Sequence, residues 1–549
     1  MKLVRPRNYI TILILVSIAL FFSHLEVLFA NIMEARNFIT AKEMVTYDNW
    51  LLTTMNLEPR YEKPPLPTWL SALTGMLFGF KNMLAMRAPA ALSGVFLVLM
   101  LYYLSVSLLK DKKQAFINAL IVATSFYIIF IARDGSWDVF THAFMLGAIW
   151  FLFQFFESDE HRWKNSLMAA VLIGLSFLSK GPIGMFSLLT PFLVAYAIIF
   201  KFINFKQKWW PITIGVLVVI LISSWWPLYI YFSDTNTVEL IADKEMAARS
   251  NRHVRPWYHY WSFPVQTGIW AIPAIISLMY PYLKSRVENL KGYQFTLIWT
   301  LVGVVLLSIV PEKKERYLVP VLIPMAINIG FYVRYLIQKG ADLKTKKELF
   351  PAYFGFGIIG VIGIAFPFVG YIFLKDNLMS YWSWFLLTSI VVFLSGIFIL
   401  IQLKKKNFGK VFTAIIVFQL SILVFGFPLA KSFYNNDAFK NINELHIIEQ
   451  EQQIKSYSFG VLSPELIWKY DGVIKNIYQD KKLQLPADIS FGLLVAENQK
   501  EEFLKLFENG FEINYITRFD VNYIVNKKKK HRNTRLTSDF YILKKNNFN

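Results

Sequence analysis

Apolar runs close to twenty residues long recur along most of this chain, and they constrain its fold more than any other feature. A run of that length satisfies its own backbone polar groups in a bilayer only as a helix. Runs fall at 9–29, 88–109, 114–132, 139–156, 165–179, 183–200, 209–230, 262–282, 292–310, 317–337, 351–374, 380–402 and 411–430, which predicts about 13 membrane helices. Composition agrees, with 55% hydrophobic and only 17% charged residues in 549, where a soluble globular chain carries about 25% charge. A nucleic-acid enzyme, a soluble dinucleotide-binding dehydrogenase and a secreted disulfide scaffold are thereby disfavoured. There is no cysteine, which excludes disulfides, thiolate metal sites and cysteine nucleophiles.

The formal net charge of +20 would suggest nucleic acid in a soluble protein, but in a membrane protein it is largely topology. Lys and Arg crowd alternate connections, for example Lys110, Lys112 and Lys113, then Lys339, Lys344, Lys346 and Lys347, then Lys404, Lys405, Lys406 and Lys410. The short opposite connections hold only Arg133, Lys180, Lys313, Lys314, Arg316 and Lys375. Cytoplasmic loops are the basic ones, so the N-terminus is expected in the cytoplasm. The run at 9–29 is longer than the roughly 7–15-residue core of a signal peptide, and Leu28 stands where a small residue would precede cleavage, so it reads as a retained helix. The stretch 64–80 opens Pro-Pro-Leu-Pro and is short for a crossing, which predicts an interfacial or re-entrant helix. Segments 31–87, 231–261 and 431–549 then fall outside. The expected organisation is a membrane domain over 1–430, including the outer loops 31–87 and 231–261, and a small soluble α/β domain over 431–549. Strand-like runs stand at 491–495, 515–517 and 540–543. The basic block at 527–532 reads as a solvated turn or as a contact with an anionic membrane surface.

Chemistry-bearing residues gather on the outer face. Glu34 and Arg36 follow the first run. The sequence Arg60-Tyr61-Glu62-Lys63-Pro64-Pro65 forms a rigid charged elbow, because proline fixes the backbone. The connection Ala132-Arg133-Asp134-Gly135-Ser136-Trp137-Asp138 puts Asp138 at the start of a span, where a carboxylate is costly unless paired or facing water. Lys180 precedes a Gly-Pro turn at a helix start, a plausible phosphate contact. Lys313, Lys314 and Arg316 stand on the face that the charge bias disfavours, and an anionic ligand is the natural reason. His253 lies with Arg249, Arg252 and Arg255 in 231–261. Few carboxylates, many cations and aromatic rings at headgroup depth suit chemistry on a lipid-linked phosphate: cations stabilise the leaving phosphate and a carboxylate handles the acceptor proton. Neither GxxxxGK[ST] nor a dinucleotide fingerprint is present.

With Glu34-Ala35-Arg36, Tyr61-Glu62-Lys63-Pro64-Pro65-Leu66, Ala132-Arg133 with Asp138, 174–182 and Lys314 with Tyr317-Leu318-Val319-Pro320 in this order, the sequence resembles the lipid-linked 4-amino-4-deoxy-L-arabinose transferases and the wider protein O-mannosyltransferase-like GT-C glycosyltransferases. The resemblance covers 1–430 well and the tail loosely. It implies a GT-C fold of 13 membrane helices with amphipathic helices in the first outer loop and a soluble domain outside. It also implies a polyprenyl-phosphate sugar as donor, lipid A or another envelope glycolipid as acceptor, and residence in a bacterial inner membrane. Asp138 matches the family's second outer-loop aspartate, and Lys63 matches a lysine thought to contact the donor phosphate. Glu62 and, less closely, His253 match a structural zinc site, a metal that the residues alone do not suggest and the proposed chemistry does not require. The family's first outer loop usually reads Asp-Glu-x-Arg; here it is Met33-Glu34-Ala35-Arg36. Methionine is neither base nor hard ligand, so Glu34 and Asp138 are the expected catalytic carboxylates.

The implied reaction is one inverting displacement at the anomeric carbon, with the leaving phosphate held by Lys63, Arg133, Lys180, Lys313, Lys314 and Arg316. The protein is read as a monomer among membrane lipids, without nucleic acid. The alternatives are the same chemistry on protein hydroxyls, loss of transfer activity with Met33, and a flippase or transporter for a lipid-linked anion.

Overall fold

Thirteen apolar helices of membrane length is more than the described residues build. The computed structural model describes residues 8–202, 205–251, 253–479, 481–525 and 530–546. Among these, eight helices are long and apolar enough to span a membrane, or nine if one bent pair counts as a single span. In chain order, α1 (Tyr9–Phe22), the outer helix α2 (Ile32–Thr46), a hairpin of β1 (Thr54–Met55) and β2 (Glu58–Pro59), and α3 (Leu66–Phe78) lead to the long α4 (Met83–Leu109). Next, α5 (Lys112–Ala123) and α6 (Phe126–Ala132) meet at 68° as the bent pair. They are followed by α7 (Asp138–Glu157), α8 (Arg162–Lys180), α9 (Thr190–Ile199, entered through a π turn), α10 (Trp209–Ser233) and the outer helix α11 (Thr235–Asn251). A 3-10 stretch over Trp257–Trp270 leads to α12 (Ala271–Ser277) and α13 (Tyr280–Leu283). The remaining spans are α14 (Leu290–Ile309), α15 (Val319–Lys339), α16 (Lys346–Leu374), α17 (Trp382–Lys404) and α18 (Phe408–Ser421), the last continued by π and 3-10 turns to Phe433.

Four of the expected runs do not form helices both long and apolar enough to count as spans, each for a physical reason. The run at 9–29 folds as the 14 residues of α1, about 21 Å at 1.5 Å per residue against a hydrocarbon core of about 30 Å. The run at 183–200 gives only the short helix Met185–Ile199. The run at 262–282 is broken at Gly268, whose φ of 68° leaves the helical region, with Pro264 and Pro273 on either side. The run at 165–179 sits in α8, whose ends carry Arg162, Lys164 and Lys180. Hydropathy counts apolar residues and does not register where a helix stops. The stretch 64–80 becomes the 13 residues of α3.

Packing follows polarity. Helix α15 is buried almost throughout, and Asn328 on it bonds Thr296 (2.6 Å) and Thr300 (3.0 Å) of α14, satisfying polar groups inside an apolar bundle. Helices α10 and α16 instead leave Leu217, Leu221, Val361 and Ile372 exposed, the apolar surface a lipid-facing helix presents.

The C-terminal part is α/β. It comprises α19 (Leu445–Gln452), β3 (Ser456–Phe459), α20 (Pro464–Tyr470), the hairpin β4 (Tyr478–Gln479) with β5 (Lys482–Leu483), β6 (Ser490–Val495), α21 (Lys500–Phe507), β7 (Phe511–Asp520), α22 (Lys530–Arg535) and β8 (Thr537–Lys545). The main sheet runs β3-β6-β8-β7, parallel between β3 and β6 and antiparallel elsewhere, with a bulge at Tyr515/Thr517. Alternation divides its core. Phe491, Leu493, Val495, Tyr541 and Leu543 pack on Phe503 and Phe507 of α21, while Leu494 and Phe540 turn to α20 and to Ile39 of α2. The domain is clamped to the outer loop by Lys42 to Asp471 (2.6 Å) and by Asn56, which bonds Ile474 in both directions (2.7 and 2.9 Å). Of the basic block at 527–532, residues 527–529 and the side chains of 530–532 lie outside the described residues.

The absence of cysteine gives a direct test of sidedness. The spans α16, α17 and α18 alternate direction, so Lys344 and Asp437, both exposed, belong to opposite faces. Single Lys344→Cys and Asp437→Cys variants in sealed cells should differ: an impermeant maleimide labels one at once and the other only after permeabilisation. Equal labelling of both would refute this arrangement.

Candidate active site

The connection at 133–137 is held at every residue but one by an interaction with another segment, and this fixes where Asp138 begins α7. Arg133 donates to the carbonyls of Leu20 (2.8 Å) and Ser23 (2.6 Å) at the end of α1 and lies over the Phe427 ring at 4.4 Å. Asp134 accepts from the Asn31 amide at 2.8 Å. Gly135 donates its N–H to Glu34 at 2.9 Å and its carbonyl accepts from Asn37 at 2.8 Å. A Cβ at position 135 would come within 2.5 Å of the Phe38 ring, so glycine is needed there for close approach rather than for an unusual turn. Ser136 is the exception; its N–H caps Asp134 within the loop at 2.8 Å. Trp137 is buried beneath the Arg60 guanidinium at 5.2 Å.

Most of these restraints originate on α2. Its start is a capping box: the Asn31 side chain accepts from the N–H groups of Met33 and Glu34, and Glu34 accepts from the Asn31 N–H. Glu34, 1% exposed, also forms a bidentate pair with Arg87 of α4, Nε to Oε1 at 2.6 Å and Nη2 to Oε2 at 2.8 Å. Arg87 additionally donates to the carbonyls of Leu25, Leu28 (2.8 Å) and Phe29 (3.2 Å). Both oxygens of Glu34 are thus engaged by Arg87, Asn31 and Gly135. Met33 is half-buried in the first turn of the same helix.

Asp138 is buried against Lys180, the last residue of α8, and Arg316 Nη1 lies 3.9 Å from its other oxygen. Helix α8 stops at Lys180 because Gly181 follows with φ +74°, a left-handed conformation that costs glycine little. The Lys180 ammonium sits 5.5 Å from the Tyr317 ring centre and Lys314 sits 5.6 Å from it, with Lys314 also paired to Glu312. Lys313 is buried, donates to the Val310 carbonyl and lies 5.9 Å from the Tyr260 ring. The segment carrying these cations is zipped to 253–255: Lys313 N–H donates to the His253 carbonyl at 3.1 Å and Arg255 N–H to the Pro311 carbonyl at 3.3 Å. Glu315 is held by His259 (2.9 Å) and Gln266 (2.8 Å).

Beside Asp138 in the chain, the buried Trp137 Nε1 and His142 Nδ1 have no hydrogen-bond partner among the described residues, nor has Arg36 Nε on α2. Buried polar atoms are normally satisfied, so these three stand out as unpartnered. In the elbow, Tyr61 bonds Asp234 at 3.1 Å, Lys63 is half-buried, and the exposed Glu62 reaches only Arg60, at 3.9 Å. The residues do not fit a zinc site. Among the described residues no three His, Asp or Glu side chains gather to hold a metal, and Glu62 with the exposed His253 falls short of a closed ligand set.

Burial and the neighbouring Glu34 push the Asp134 carboxyl up to about 6, and burial with Arg36 nearby lowers Arg60 to about 10. The structure therefore makes two groups of the expected residues. Asp138, Lys180 and Arg316 meet, with Lys314 one ring away. Glu34 and Arg133 meet backbone and Arg87 instead. Arg87, Asn31 and Asn37 are not evident as site residues from sequence. The available signal is Arg87 itself, a lone cation in the first turn of an apolar helix.

An extramembrane helix, a carboxylate at the head of a span and an α/β domain beside the membrane bundle define a polytopic membrane protein. Residues 62–227 match the family model for dolichyl-phosphate-mannose-protein mannosyltransferase. The chain is 26% identical over 351 residues to undecaprenyl phosphate-alpha-4-amino-4-deoxy-L-arabinose arabinosyl transferase 1 of Pseudomonas fluorescens, and 23% identical over 343 residues to the arabinosyl transferase of Shewanella sediminis. The aligned regions are 61% and 59% of this chain; the chain spans 60% and 59% of the length of these two relatives. The fold matches ArnT from Cupriavidus metallidurans bound to undecaprenyl phosphate, with a TM-score of 0.68 at 14% identity, over 97% of both chains. The chain is thus similar in sequence, over part of its length, to undecaprenyl-phosphate arabinosyl transferases, and it shares the fold of ArnT.

Two measurements test the loop restraints. Arg87→Ala leaves Glu34 as an uncompensated buried charge and should cost about 3–5 kcal/mol in thermal or denaturant unfolding, with loss well below 1 kcal/mol disproving the role. Asp134 has its carboxyl raised from 3.8 to about 6, so between those values the folded protein holds more protons than the unfolded chain. Its contribution therefore declines as pH rises through that window. The melting temperature should fall there in wild type and fall less in Asp134→Asn.

Proposed function

We propose that the protein transfers a sugar from a polyprenyl phosphate to an envelope glycolipid, lipid A being the acceptor that the family resemblance implies, on the outer face of a bacterial inner membrane. The observation that carries the reading is the buried Asp138 between Lys180 and Arg316 at the end of a fully restrained loop. An enclosed carboxylate with two cations, unpartnered polar atoms near it and exposed apolar helices in the bundle is what transfer from a lipid phosphate needs. The relatives' names, which state undecaprenyl phosphate, support that donor class.

In the proposed reaction the acceptor oxygen attacks the anomeric carbon opposite the phosphate. The C–O bond to phosphate breaks and the polyprenyl phosphate leaves with the electron pair, inverting the centre. Asp138 takes the proton if the acceptor is a hydroxyl; an ionised phosphate acceptor gives up none. Lys180, Arg316 and Lys314 meet the negative charge growing on the leaving group, with Lys63 and Lys313 at its rim. Lys180 has N–H groups beyond the one given to Asp138, so it can bridge carboxylate and phosphate. Glu34 and Arg133, engaged by the backbone, act by holding the loop, which explains how methionine at position 33 is tolerated: the first outer helix positions Asp138 and need not supply the base. The N-terminus is then cytoplasmic and the C-terminal domain extracytoplasmic.

The test uses purified protein in lipid with polyprenyl phosphates bearing a panel of sugars, and follows free polyprenyl phosphate by mass spectrometry. Asp138→Asn should lower release by about 10²–10⁴-fold, and Lys180→Met by a comparable factor. Glu34→Gln should lower it together with thermal stability. Unchanged release in Asp138→Asn, or no release with any sugar when glycolipid and envelope extract are supplied, would refute the reading.

A further inference from the structure

A cavity of about 220 Å³ lies at the far end of the membrane bundle from Asp138. Its walls are the junction of α4 and α5 (Leu109, Asp111, Gln114), the link from α13 to α14 at 286–289, and the end of α15 (Phe331, Arg334). Helix α14 starts at this cavity and runs 20 residues, about 30 Å, toward the segment that carries Lys313, Lys314 and Arg316. The two sites therefore stand about a membrane's thickness apart. The volume is about seven times the ~30 Å³ share of one water, room for a headgroup rather than a whole lipid.

Arg334 is only partly engaged. It gives Nη2 to Asp111 at 3.0 Å, and the other oxygen of Asp111 caps α5 by accepting the N–H groups of Lys113 and Gln114 at 2.7 and 3.1 Å. The Nε and Nη1 of Arg334 are buried without a hydrogen-bond partner among the described residues. Buried donors are normally satisfied, and guanidinium donors pair best with phosphate or carboxylate oxygens. The other guanidinium on the wall is taken: Arg286 holds Glu348 at 2.7 Å. Glu288, exposed at the mouth, accepts from Gln338 at 2.9 Å.

Lysines surround the mouth. Lys110, Lys112, Lys113, Lys284, Lys291 and Lys339 each stand within two residues of a lining residue, and among the described residues none has a carboxylate within 4.0 Å. Arg286 and Arg334 offset two of the acids that line the cavity or pair with its walls, Asp111, Glu288 and Glu348, so the lysines leave the site cationic. An apolar track leads away from it. Leu290, Gln294, Ile298, Leu301 and Val305 share one side of α14 at three- and four-residue spacing, with a wider first interval between Leu290 and Ile298 filled by Gln294, and none is buried. The track begins next to Asn289 of the cavity wall. A soluble anion gains nothing from such a surface, whereas an acyl chain does. Basic pockets between membrane helices at headgroup level suit anionic lipid. We infer that this cavity binds the phosphodiester headgroup of an anionic phospholipid, with its acyl chains lying along α14.

The lipid bridges two helices that already depend on each other. Asn289 opens α14 and Arg334 lies near the end of α15, and midway along them Asn328 bonds Thr296 and Thr300. A headgroup between Arg334 and the lysines fastens the ends that those bonds do not reach. Binding here is independent of the chemistry at Asp138.

The experiment measures lipid binding to the full chain in phosphatidylcholine nanodiscs by native mass spectrometry. The probes are phosphatidylglycerol and phosphatidylethanolamine, with glycerophosphoglycerol and inorganic phosphate as soluble competitors. Phosphatidylglycerol should bind about tenfold more tightly than phosphatidylethanolamine. Arg334→Gln should weaken it by a comparable factor. Lys110→Gln combined with Lys339→Gln, both on exposed side chains, should weaken it about fivefold or more at an unchanged melting temperature, which keeps the test open if Arg334→Gln fails to fold. Lys404→Gln combined with Lys405→Gln, exposed on the same face but lining no part of the cavity, should leave binding unchanged. Wild-type affinity in the Lys110 and Lys339 variant overturns the site. Equal weakening by the Lys404 and Lys405 variant means diffuse attraction to a basic face and overturns it too. Competition by glycerophosphoglycerol or inorganic phosphate as strong as that by the lipid makes the ligand a soluble phosphate and overturns the lipid assignment.

Discussion

Glu34 and Arg87 bury opposite charges where the chain emerges from the bundle, and neither could stay there alone. Removing a carboxylate and a guanidinium from water costs several kcal/mol per ion unless geometry is good and the remaining hydrogen-bonding groups are filled. Here they are filled by backbone: three carbonyls after α1 for Arg87, and the N–H groups of Asn31 and Gly135 for Glu34. One ion pair therefore ties together the exit of α1, the start of α2, the start of α4 and the loop before α7. The position of Asp138 follows from that knot, because only Ser136 and Trp137 separate it from Gly135.

The cations on the same face divide by what they meet. Arg133 meets carbonyl oxygens, which have fixed partial charge and leave nothing to exchange, and Arg87 meets three more beside a Glu34 carboxylate that is itself tied to backbone N–H groups. Lys180, Lys314 and Arg316 meet carboxylates and the Tyr317 ring. An incoming anion can compete for those, since it replaces like with like. A sequence shows both groups as basic residues on an unexpected face; only their partners separate a strut from a ligand contact.

That distinction marks how far the sequence could be read. Asp138 at a helix start, the prolyl elbow at 60–67 and Lys180 before Gly181 are local patterns, and local geometry kept them together. The strand runs at 491–495 and 540–543 lie inside β6 and β8 because alternation there is set by the pleat. The pairing of Glu34 with Arg87 spans 53 positions and has no local signature, so Glu34 looks like a free acid in the chain and is a bound one in the fold. The excess of expected spans has the opposite cause. The apolar runs are real, but Gly268 and the turn after Phe22 end helices short of membrane length, and composition alone gives no sign of an early stop.

The clamp of α20 onto α2, through Lys42 and Asp471 and through Trp468 on Phe38, has a consequence in time. Domains form from the N-terminal end as a chain is made, so α2 and the loop before α7 emerge long before residues 464–470 exist. Until the last part of the chain arrives, Phe38 lacks the ring that backs it and Gly135 faces a side chain free to shift. The earliest-made part of this face is thus finished by the latest-made domain, and a ribosome that stops short of that domain leaves a protein inserted in the membrane with Phe38 unbacked beside the loop that precedes α7.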